Sequence, residues 1–277
     1  MRRGRAAALA VGLGLLAGCE DGVERHFLYF PMGELEATPA TYGLPFEEVR
    51  FEAADGVRLH GWFVPARGAR ATLLWLHGNA GNISHRVHNL RLFHDALRIN
   101  VLLFDYRGYG LSEGSPSEAG LLQDAEAAWR VLQARPDVDP GAIVLFGRSL
   151  GAAVAAELAA RVQPAALILE TPFTSLLDMG RHHYWFLPVR WLVRSRYDTL
   201  GAVRRVRVPV LVLHGDQDEI VPFDMGEQVF AAAPEPKAFY RIPGASHNDT
   251  YVVGGKAYLE ALRAFLATAL PDSRVSG

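Results

Sequence analysis

The sequence predicts an α/β fold in which helices cover both faces of a mainly parallel β-sheet. Short, continuous apolar runs such as Ala71–Leu76 and Asn100–Asp105 have the composition of strands that are buried on both faces of a sheet. Longer segments of helical character, such as 117–135, separate these runs along the chain. A Gly-x-Ser-x-Gly sequence also lies between an apolar run and an Ala-rich helical segment, where it marks a tight strand-to-helix turn.

The individual elements follow in a regular order. Polar and apolar residues alternate in 48–53 and 57–64, on either side of Asp55-Gly56, which predicts a β-hairpin. Buried strands are expected at 71–76, 100–105, 142–146, 165–170, 208–213 and 237–242. Helices are expected at 84–98, 117–135, 152–161, 224–233 and 255–270. We find no sign of a second domain, and therefore predict one domain over 45–271.

Composition narrows the class of protein. The chain has 277 residues, half of them hydrophobic, which suits a single α/β domain with a sizeable core. The formal net charge is −2, and no basic run or aromatic–basic pattern indicates binding to nucleic acid. Cys19 is the only cysteine, so an intramolecular disulfide is excluded.

The N-terminus predicts a membrane-anchored protein. A basic start precedes an uncharged apolar stretch, 6–17, that is too short to span a bilayer comfortably, so 1–18 reads as a signal peptide. Its end, Leu16-Ala17-Gly18-Cys19, resembles the lipobox of bacterial lipoproteins, which implies cleavage before Cys19 and acylation of that residue. Residues 19–44 then form a lipidated tether, and the protein is expected to lie outside the cytoplasm on a bacterial membrane.

Two points about this N-terminus stay open. An ordinary secretory signal that happens to end near a cysteine is the alternative to the lipobox. Within the tether, Phe27–Pro31 packs either on the body of the protein or on the lipid surface, and the sequence does not decide between these.

The sequence Gly147-Arg148-Ser149-Leu150-Gly151 predicts a nucleophilic serine. It lies between the apolar run 142–146 and the Ala-rich helix. A turn this tight holds the serine in a strained backbone conformation with its hydroxyl exposed, and side chains two residues away on either side would collide. An ordinary strand-to-helix turn is the alternative.

A serine hydroxyl needs a base, usually a histidine that a carboxylate orients. His247 is the only histidine beyond the acidic candidates Asp216, Asp218 and Glu219, and it lies in a loop just after the last strand. Asp218, which follows the strand 208–213, is the preferred acid. Asp216 is the alternative, although its side chain suits a cap on its own turn.

Two backbone N–H groups are needed for the oxyanion that forms during attack on a carbonyl. One is expected from Leu150, directly after the serine. We assign the other to Asn79, with Ala80 close behind, in the Gly-rich loop after Leu76. The alternative is a loop that only turns the chain.

The segment 176–200 bears on the substrate. It is rich in apolar and aromatic residues and lies between two predicted core strands. One interpretation is a small cap whose apolar face, including Trp185 and Trp191, lines an acyl pocket. The other is a helix packed on the body of the domain.

Five motifs together resemble the Bem46 and ABHD13/ABHD17-like group of α/β-hydrolases. They are His77-Gly78-Asn79-Ala80-Gly81-Asn82, Asp105-Tyr106-Arg107-Gly108-Tyr109-Gly110, the serine pentapeptide, His214-Gly215-x-x-Asp218 and Ser246-His247-Asn248-Asp249. The resemblance covers about 46–270. It implies the α/β-hydrolase fold, with about eight strands and the second antiparallel, and a Ser149–Asp218–His247 triad. Characterised relatives include thioesterases that remove palmitate from proteins. The lipobox is a departure from the group and argues against a cytosolic location.

The resulting hypothesis is a lipid-anchored serine hydrolase that cleaves an ester or thioester of an acylated or small-molecule substrate and needs no cofactor. The alternatives are an aminopeptidase or amidase of the same fold, or a non-catalytic lipoprotein scaffold. Tyr106, Arg107 and Tyr109 are expected to brace the sheet. The histidine pairs 85/88 and 182/183 have no carboxylate or thiolate partners in sequence, and we expect packing or surface roles for them rather than metal binding.

Overall fold

The computed structural model describes residues 28–270, except for the side chains of Trp191 and Leu192. The expected signal peptide, Cys19 and the first part of the tether lie outside these residues. Within 28–270, no helix is both long and apolar enough to cross a bilayer.

One eight-stranded sheet forms the centre of the domain, in the order β1-β2-β4-β3-β5-β6-β7-β8. The strand β2 is antiparallel to both of its neighbours, and all the other pairs are parallel. The strands are β1 Glu47–Glu52, β2 Arg58–Val64, β3 Thr72–Leu76, β4 Asn100–Asp105, β5 Ile143–Arg148, β6 Ala166–Glu170, β7 Val210–Gly215 and β8 Lys237–Ile242. The predicted α/β-hydrolase fold, with an antiparallel second strand, is confirmed.

Helices cover both faces of this sheet. They are α1 Val87–Leu97, α2 Glu118–Ala134, α3 Leu150–Val162, α4 Leu176–His183, α5 Val189–Leu192, α6 Thr199–Val203, α7 Phe223–Ala232 and α8 Thr250–Ala269, with short 3₁₀ turns at Pro39–Tyr42, Ile83–Arg86 and Pro140–Ala142. Alternate residues of β3 enter different cores. Leu74 and Leu76 pack in the cluster that includes α2 and α3, whereas Leu73 and Trp75 pack in the cluster that includes α1 and α8. Both faces of the strand are therefore buried, which explains its unbroken apolar run.

The sheet edge near β4 is braced as the sequence predicts. Tyr106 and Tyr109 are fully buried. The guanidinium of Arg107 binds the carboxylate of Asp124 at 2.8 Å and that of Asp55, in the β1–β2 turn, at 2.7 Å. This arrangement ties the hairpin to α2.

The segment between β6 and β7 leaves the body as a closed excursion. Its ends meet where Leu176 N–H donates to the carbonyl oxygen of Arg196, at 2.9 Å. The carboxylate of Glu118 accepts hydrogen bonds from the N–H groups of Arg196 and Tyr197, at 2.7 and 2.6 Å. No residue of α4 is buried. The excursion therefore has a fixed base and an exposed outer part.

Candidate active site

Ser149 sits in a strained turn between β5 and α3. Its φ and ψ of 53° and −119° lie outside the regions that non-glycine residues ordinarily adopt. A Cβ at Gly151 would clash with the carbonyl oxygens of Leu76 and His77, and one at Gly147 would clash with the backbone of α3. The tight turn that the sequence predicts around Ser149, called a nucleophile elbow, is therefore present, and both glycines are required by the close approach of the backbone.

His247 lies between Ser149 and Asp218. Its Nε2 is 3.1 Å from Ser149 Oγ, and its Nδ1 is 2.8 Å from Asp218 Oδ2. The three residues are far apart in sequence but follow β5, β7 and β8, whose carboxyl ends share one edge of the sheet. This hydrogen-bonded chain has the geometry that general-base activation of a serine requires.

Asp218 is held as an ionised, oriented carboxylate. Its side chain is fully buried, and Oδ1 accepts from the N–H groups of Ile220 and Val221 at 2.9 and 2.8 Å. Burial alone would raise the pKa of this carboxyl. The hydrogen bonds from His214 and His247 and the adjacent charge outweigh burial, and the net effect lowers the pKa below its usual range. The carboxylate thus stays charged beside His247 throughout the neutral range.

Asp216 has a different role. Its Oδ1 accepts from Gly244 N–H at 2.7 Å, and its Oδ2 lies 2.7 Å from the guanidinium of Arg241. Both partners belong to β8 and the loop that follows it. Asp216 therefore closes this turn, and its carboxylate oxygens are engaged away from His247.

The loop after β3 approaches Ser149 closely. A Cβ placed on Gly78 would be 3.6 Å from Ser149 Cβ, so the neighbouring Asn79 lies beside the nucleophile. Among the described residues, the backbone N–H groups of Asn79 and Leu150 donate to no protein acceptor. Leu150 is also the first residue of α3, where the helix dipole favours negative charge. These two donors belong to the segments next to Ser149, which makes them the candidate donors of an oxyanion hole.

The N-terminal segment fixes this loop. The side-chain oxygen of Asn79 accepts from Tyr109 OH at 2.8 Å and from Phe30 N–H at 3.3 Å, and its amide donates to Leu28 O. Gly81 exchanges backbone hydrogen bonds with Phe30 and Met32. The sequence left open whether Phe27–Pro31 packs on the body or on the lipid surface. In the described part of this segment, Leu28 to Pro31 run along the loop after β3.

A buried acid–imidazole pair lies beneath the same loop. His77 Nε2 is 3.6 Å from Asp105 Oδ1, and both side chains are fully buried. Burial lowers the pKa of His77 to about 3 and raises the pKa of Asp105 to about 8. At neutral pH the pair therefore consists of a neutral imidazole and a protonated carboxyl, with no net charge under the loop.

Sequence reasoning missed a second buried network. The guanidinium of Arg148 donates to the carbonyl oxygen of His247 and to Asn248 Oδ1, and lies 3.4 Å from Glu170 Oε1. Glu170 also accepts from the hydroxyls of Thr250 and Tyr258 in α8. Arg148 and Glu170 are directly opposite each other on β5 and β6. The sequence did carry a signal for this pair. The apolar run 142–146 is followed by a basic residue, Arg148, and the next apolar run, 165–170, ends in an acidic residue, Glu170.

The expected pocket residues are placed differently. Trp185 is 81% exposed, so it does not line an enclosed acyl pocket, and the side chain of Trp191 lies outside the described part of the chain. The physical reason is that residues 184–187, in the outer part of the excursion between β6 and β7, are all exposed to solvent. The helix α4 packs on the body only in part: Leu176 and Met179 are half-buried against the core, and no residue of α4 is fully buried.

The other histidines have local partners. The ring of His88 contacts that of Tyr42 edge-on and that of Tyr251 at a tilt, with centroids 6.1 and 5.7 Å apart, and His85 lies 3.3 Å from Glu36. His183 Nε2 is 2.7 Å from the carbonyl oxygen of Ile220. Within 28–270, histidine, cysteine and acidic side chains form no group of three with the spacing of a metal site.

The fold and this site define an α/β-hydrolase. A family model described as serine aminopeptidase, S33, matches residues 67–196. The α/β hydrolase domain-containing protein WAV2 of Arabidopsis thaliana is 40% identical over 259 residues, which cover 86% of this chain and 83% of WAV2.

Protein bem46 of Schizosaccharomyces pombe is 37% identical over 252 residues, which cover 86% of this chain and 83% of that protein. The Pyrococcus furiosus esterase Pf2001 has the same fold, with a TM-score of 0.72 at 22% identity over 86% of this chain and 98% of Pf2001. The chain belongs to the Bem46-like group of the α/β-hydrolase family, and its general activity is that of a hydrolase.

Proposed function

We propose that this hydrolase cleaves esters or thioesters of apolar acyl groups through an acyl-enzyme on Ser149. The observation that supports the proposal is the hydrogen-bonded chain from Ser149 Oγ through His247 to buried Asp218. The backbone N–H groups of Asn79 and Leu150 have no protein acceptor among the described residues and belong to the segments next to Ser149. Nucleophile, base, orienting acid and oxyanion donors are thus the four parts that acyl transfer needs.

The reaction follows from these positions. His247 Nε2 takes the proton of Ser149 Oγ as the oxygen attacks the acyl carbonyl carbon, and the imidazolium is stabilised by Asp218. The carbonyl oxygen becomes an oxyanion that accepts from Asn79 and Leu150 N–H. His247 then protonates the departing alcohol or thiol, and in the second half-reaction it deprotonates the water that releases the acyl group.

The apolar surface at the rim supports an acyl substrate. Large hydrophobic side chains that are exposed to solvent gather in segments at the carboxyl edge of the sheet, the edge at which Ser149 also lies; they include Phe30, Leu111, Trp185, Phe186 and Ile220. We also propose that the protein is anchored through an acylated Cys19, since the sequence before it has the character of a lipoprotein signal.

An aminopeptidase is the second candidate, because the matching family model carries that description. The position of Glu219 also supports an aminopeptidase. One of its carboxylate oxygens lies 3.4 Å from His247 N, where it has the charge to bind a substrate's α-ammonium group.

A panel of substrates decides between these. Purified protein is assayed on p-nitrophenyl esters from acetate to decanoate, on acyl thioesters and on aminoacyl amides, with Ser149→Ala as the blank. We expect hydrolysis of esters and thioesters, rising by about fourfold per added CH₂ over the first few carbons, since each buried CH₂ is worth about 0.8 kcal/mol. Turnover restricted to aminoacyl amides would instead establish the aminopeptidase, and an absence of all turnover would favour a non-catalytic scaffold.

A further inference from the structure

The exposed end of the excursion is unusually apolar. Residues 184–187, here called the aromatic tip, are Tyr184, Trp185, Phe186 and Leu187, with exposed fractions of 55, 81, 64 and 43%. Four large hydrophobic side chains in a row are rarely left in water on a soluble protein, and such patches mark sites of interaction. Trp and Tyr are also the side chains that favour the interface between lipid and water.

Positive charge is in excess along the chain around the tip, although Arg181 also pairs with Asp178 at 3.3 Å. No acidic residue occurs between Asp178 and Asp198, whereas that stretch contains four exposed arginines: Arg181, Arg190, Arg194 and Arg196. A surface that combines exposed aromatic rings with arginines is complementary to anionic lipid headgroups above an apolar interior.

The chain enters the body on the same side. Tyr29 OH is hydrogen-bonded to Tyr197 OH at 2.7 Å, so the start of the described chain contacts the base of the excursion. Cys19 precedes Leu28 by nine residues, which span at most about 30 Å when fully extended. An acyl group on Cys19 would therefore keep this face of the protein close to the bilayer.

The tip is also linked to the candidate active site. His183 Nε2 is 2.7 Å from the carbonyl oxygen of Ile220, two residues after Asp218. Ile220, Phe30 and Met32 are themselves exposed and lie along the same rim. Among the large hydrophobics that the structure shows exposed, all except Tyr42 lie in segments at the carboxyl edge of the sheet.

We propose that the aromatic tip docks on an anionic lipid bilayer and turns the opening of the candidate active site toward the membrane surface. The proposal rests on the proposed lipid anchor at Cys19, but it does not depend on the reaction at Ser149. Docking in this orientation presents the site to acyl compounds that reside in the membrane or at its surface.

A fluorescent label on the tip tests the proposal. The full-length chain carrying Phe186→Cys is purified from membranes, labelled with an environment-sensitive dye and reconstituted into vesicles that contain phosphatidylglycerol. When Cys19 is acylated, the introduced cysteine is the only free thiol. Ala134→Cys, at the exposed end of α2 on the opposite edge of the sheet, is the matched control.

We expect lipids with brominated acyl chains to quench the fluorescence of the label at 186 and to leave the label at 134 unquenched. The result should be the same when Ser149 is intact and when Ser149→Ala is also present. Replacing phosphatidylglycerol with phosphatidylcholine should weaken the quenching. Trp185→Cys serves as a second label position and should behave as Phe186→Cys does.

Three results would overturn the proposal. Equal quenching at 186 and 134 would show that the tip has no preferred contact with lipid. A blue-shifted but unquenched label at 186 would place the tip against protein, such as a second copy of the chain. Reaction of the dye with Cys19 in the unmutated chain would show that Cys19 is not acylated, which would remove the anchor on which the orientation rests. Loss of hydrolysis with quenching preserved would contradict only the proposed reaction.

Discussion

The guanidinium of Arg148 donates a hydrogen bond to the carbonyl oxygen of His247, so the residue that precedes the candidate nucleophile also holds the loop of the candidate base. Glu170 neutralises Arg148 and binds two hydroxyls of α8, the helix that follows this loop. The buried network thus links the strand that precedes Ser149 to His247 and to the helix that follows the loop of His247. We therefore expect Arg148 to be a positioning residue, which acts on the reaction through His247.

Replacing Arg148 with lysine tests this positioning. Arg148→Lys keeps the charge near Glu170 but lacks the planar fork that reaches His247 O and Asn248 together. Displacement of a catalytic group by about 1 Å costs about 100-fold, and we expect kcat to fall by about 10- to 100-fold with KM nearly unchanged. Steady-state kinetics on one ester would show this split.

The matched control is Arg161→Lys, an exposed arginine that pairs with Glu157 and Glu126 on the surface. It should leave kcat and KM unchanged. An Arg148→Lys enzyme that is less stable but has normal kcat would contradict the positioning role.

The two aspartates after β7 should respond differently to the same change. Asp218→Asn removes the acceptor that fixes the Nδ1–H tautomer of His247, and we expect kcat to fall by about 10⁴-fold. Asp216→Asn should retain most of the activity, because its partners are Gly244 and Arg241 rather than His247. Rates of ester hydrolysis by the two variants decide the assignment, and a severe loss in Asp216→Asn with activity spared in Asp218→Asn would reverse it.

The Asp105–His77 pair predicts a specific dependence of stability on pH. Asp105 has a folded pKa of about 8, raised by burial above its ordinary value of 3.8, so the folded state binds the proton more tightly than the unfolded state. This group therefore contributes stability at low pH that is lost as the pH rises toward 8. His77, whose pKa falls from 6.5 to about 3, has the opposite slope, confined to pH values below about 6.5.

Asp105→Asn should remove only the first slope. Between about pH 6.5 and 8, the free energy of unfolding of the wild type should fall relative to the variant by at most about 1.4 kcal/mol per pH unit. Denaturant unfolding at several pH values measures the difference. A constant difference across this range would show that Asp105 is already ionised in the folded protein.

Both members of the serine–histidine pair should be needed for turnover. Ser149→Ala removes the nucleophile and His247→Ala removes its base, and groups that act as a unit each cost nearly the full effect when lost. We expect kcat to fall by about 10⁴-fold or more in each variant and in the double variant alike. Additive losses in the double variant would mean that the two residues act separately.

The sequence predicted the sheet and the chemistry of the site because both depend on local signals. The buried strands are unbroken apolar runs. The turn at Ser149 requires glycine at 147 and 151, so the five residues 147–151 were enough to predict it. Asp218 was preferred to Asp216 as the orienting acid on two grounds: the order of residues along the chain, and the tendency of aspartate side chains to cap turns.

The remaining features depend on contacts between distant segments. The Arg148–Glu170 pair forms because β5 and β6 are in register, which neither strand specifies alone. The same apolar composition in 184–187 suits a pocket wall, a packed helix or an exposed tip. In the structure Trp185 faces solvent, and the hydrogen bond between Leu176 and Arg196 that closes the base of the excursion was not visible in the sequence.

The central claim is that Ser149 is an activated nucleophile, and covalent labelling tests it most directly. Folded wild-type protein is treated with a fluorophosphonate, and the adduct is located by mass spectrometry of its peptides. The account predicts a single adduct on Ser149, absent from Ser149→Ala and formed far more slowly in His247→Ala. An unlabelled Ser149 in folded protein, or an adduct at another residue, would contradict it.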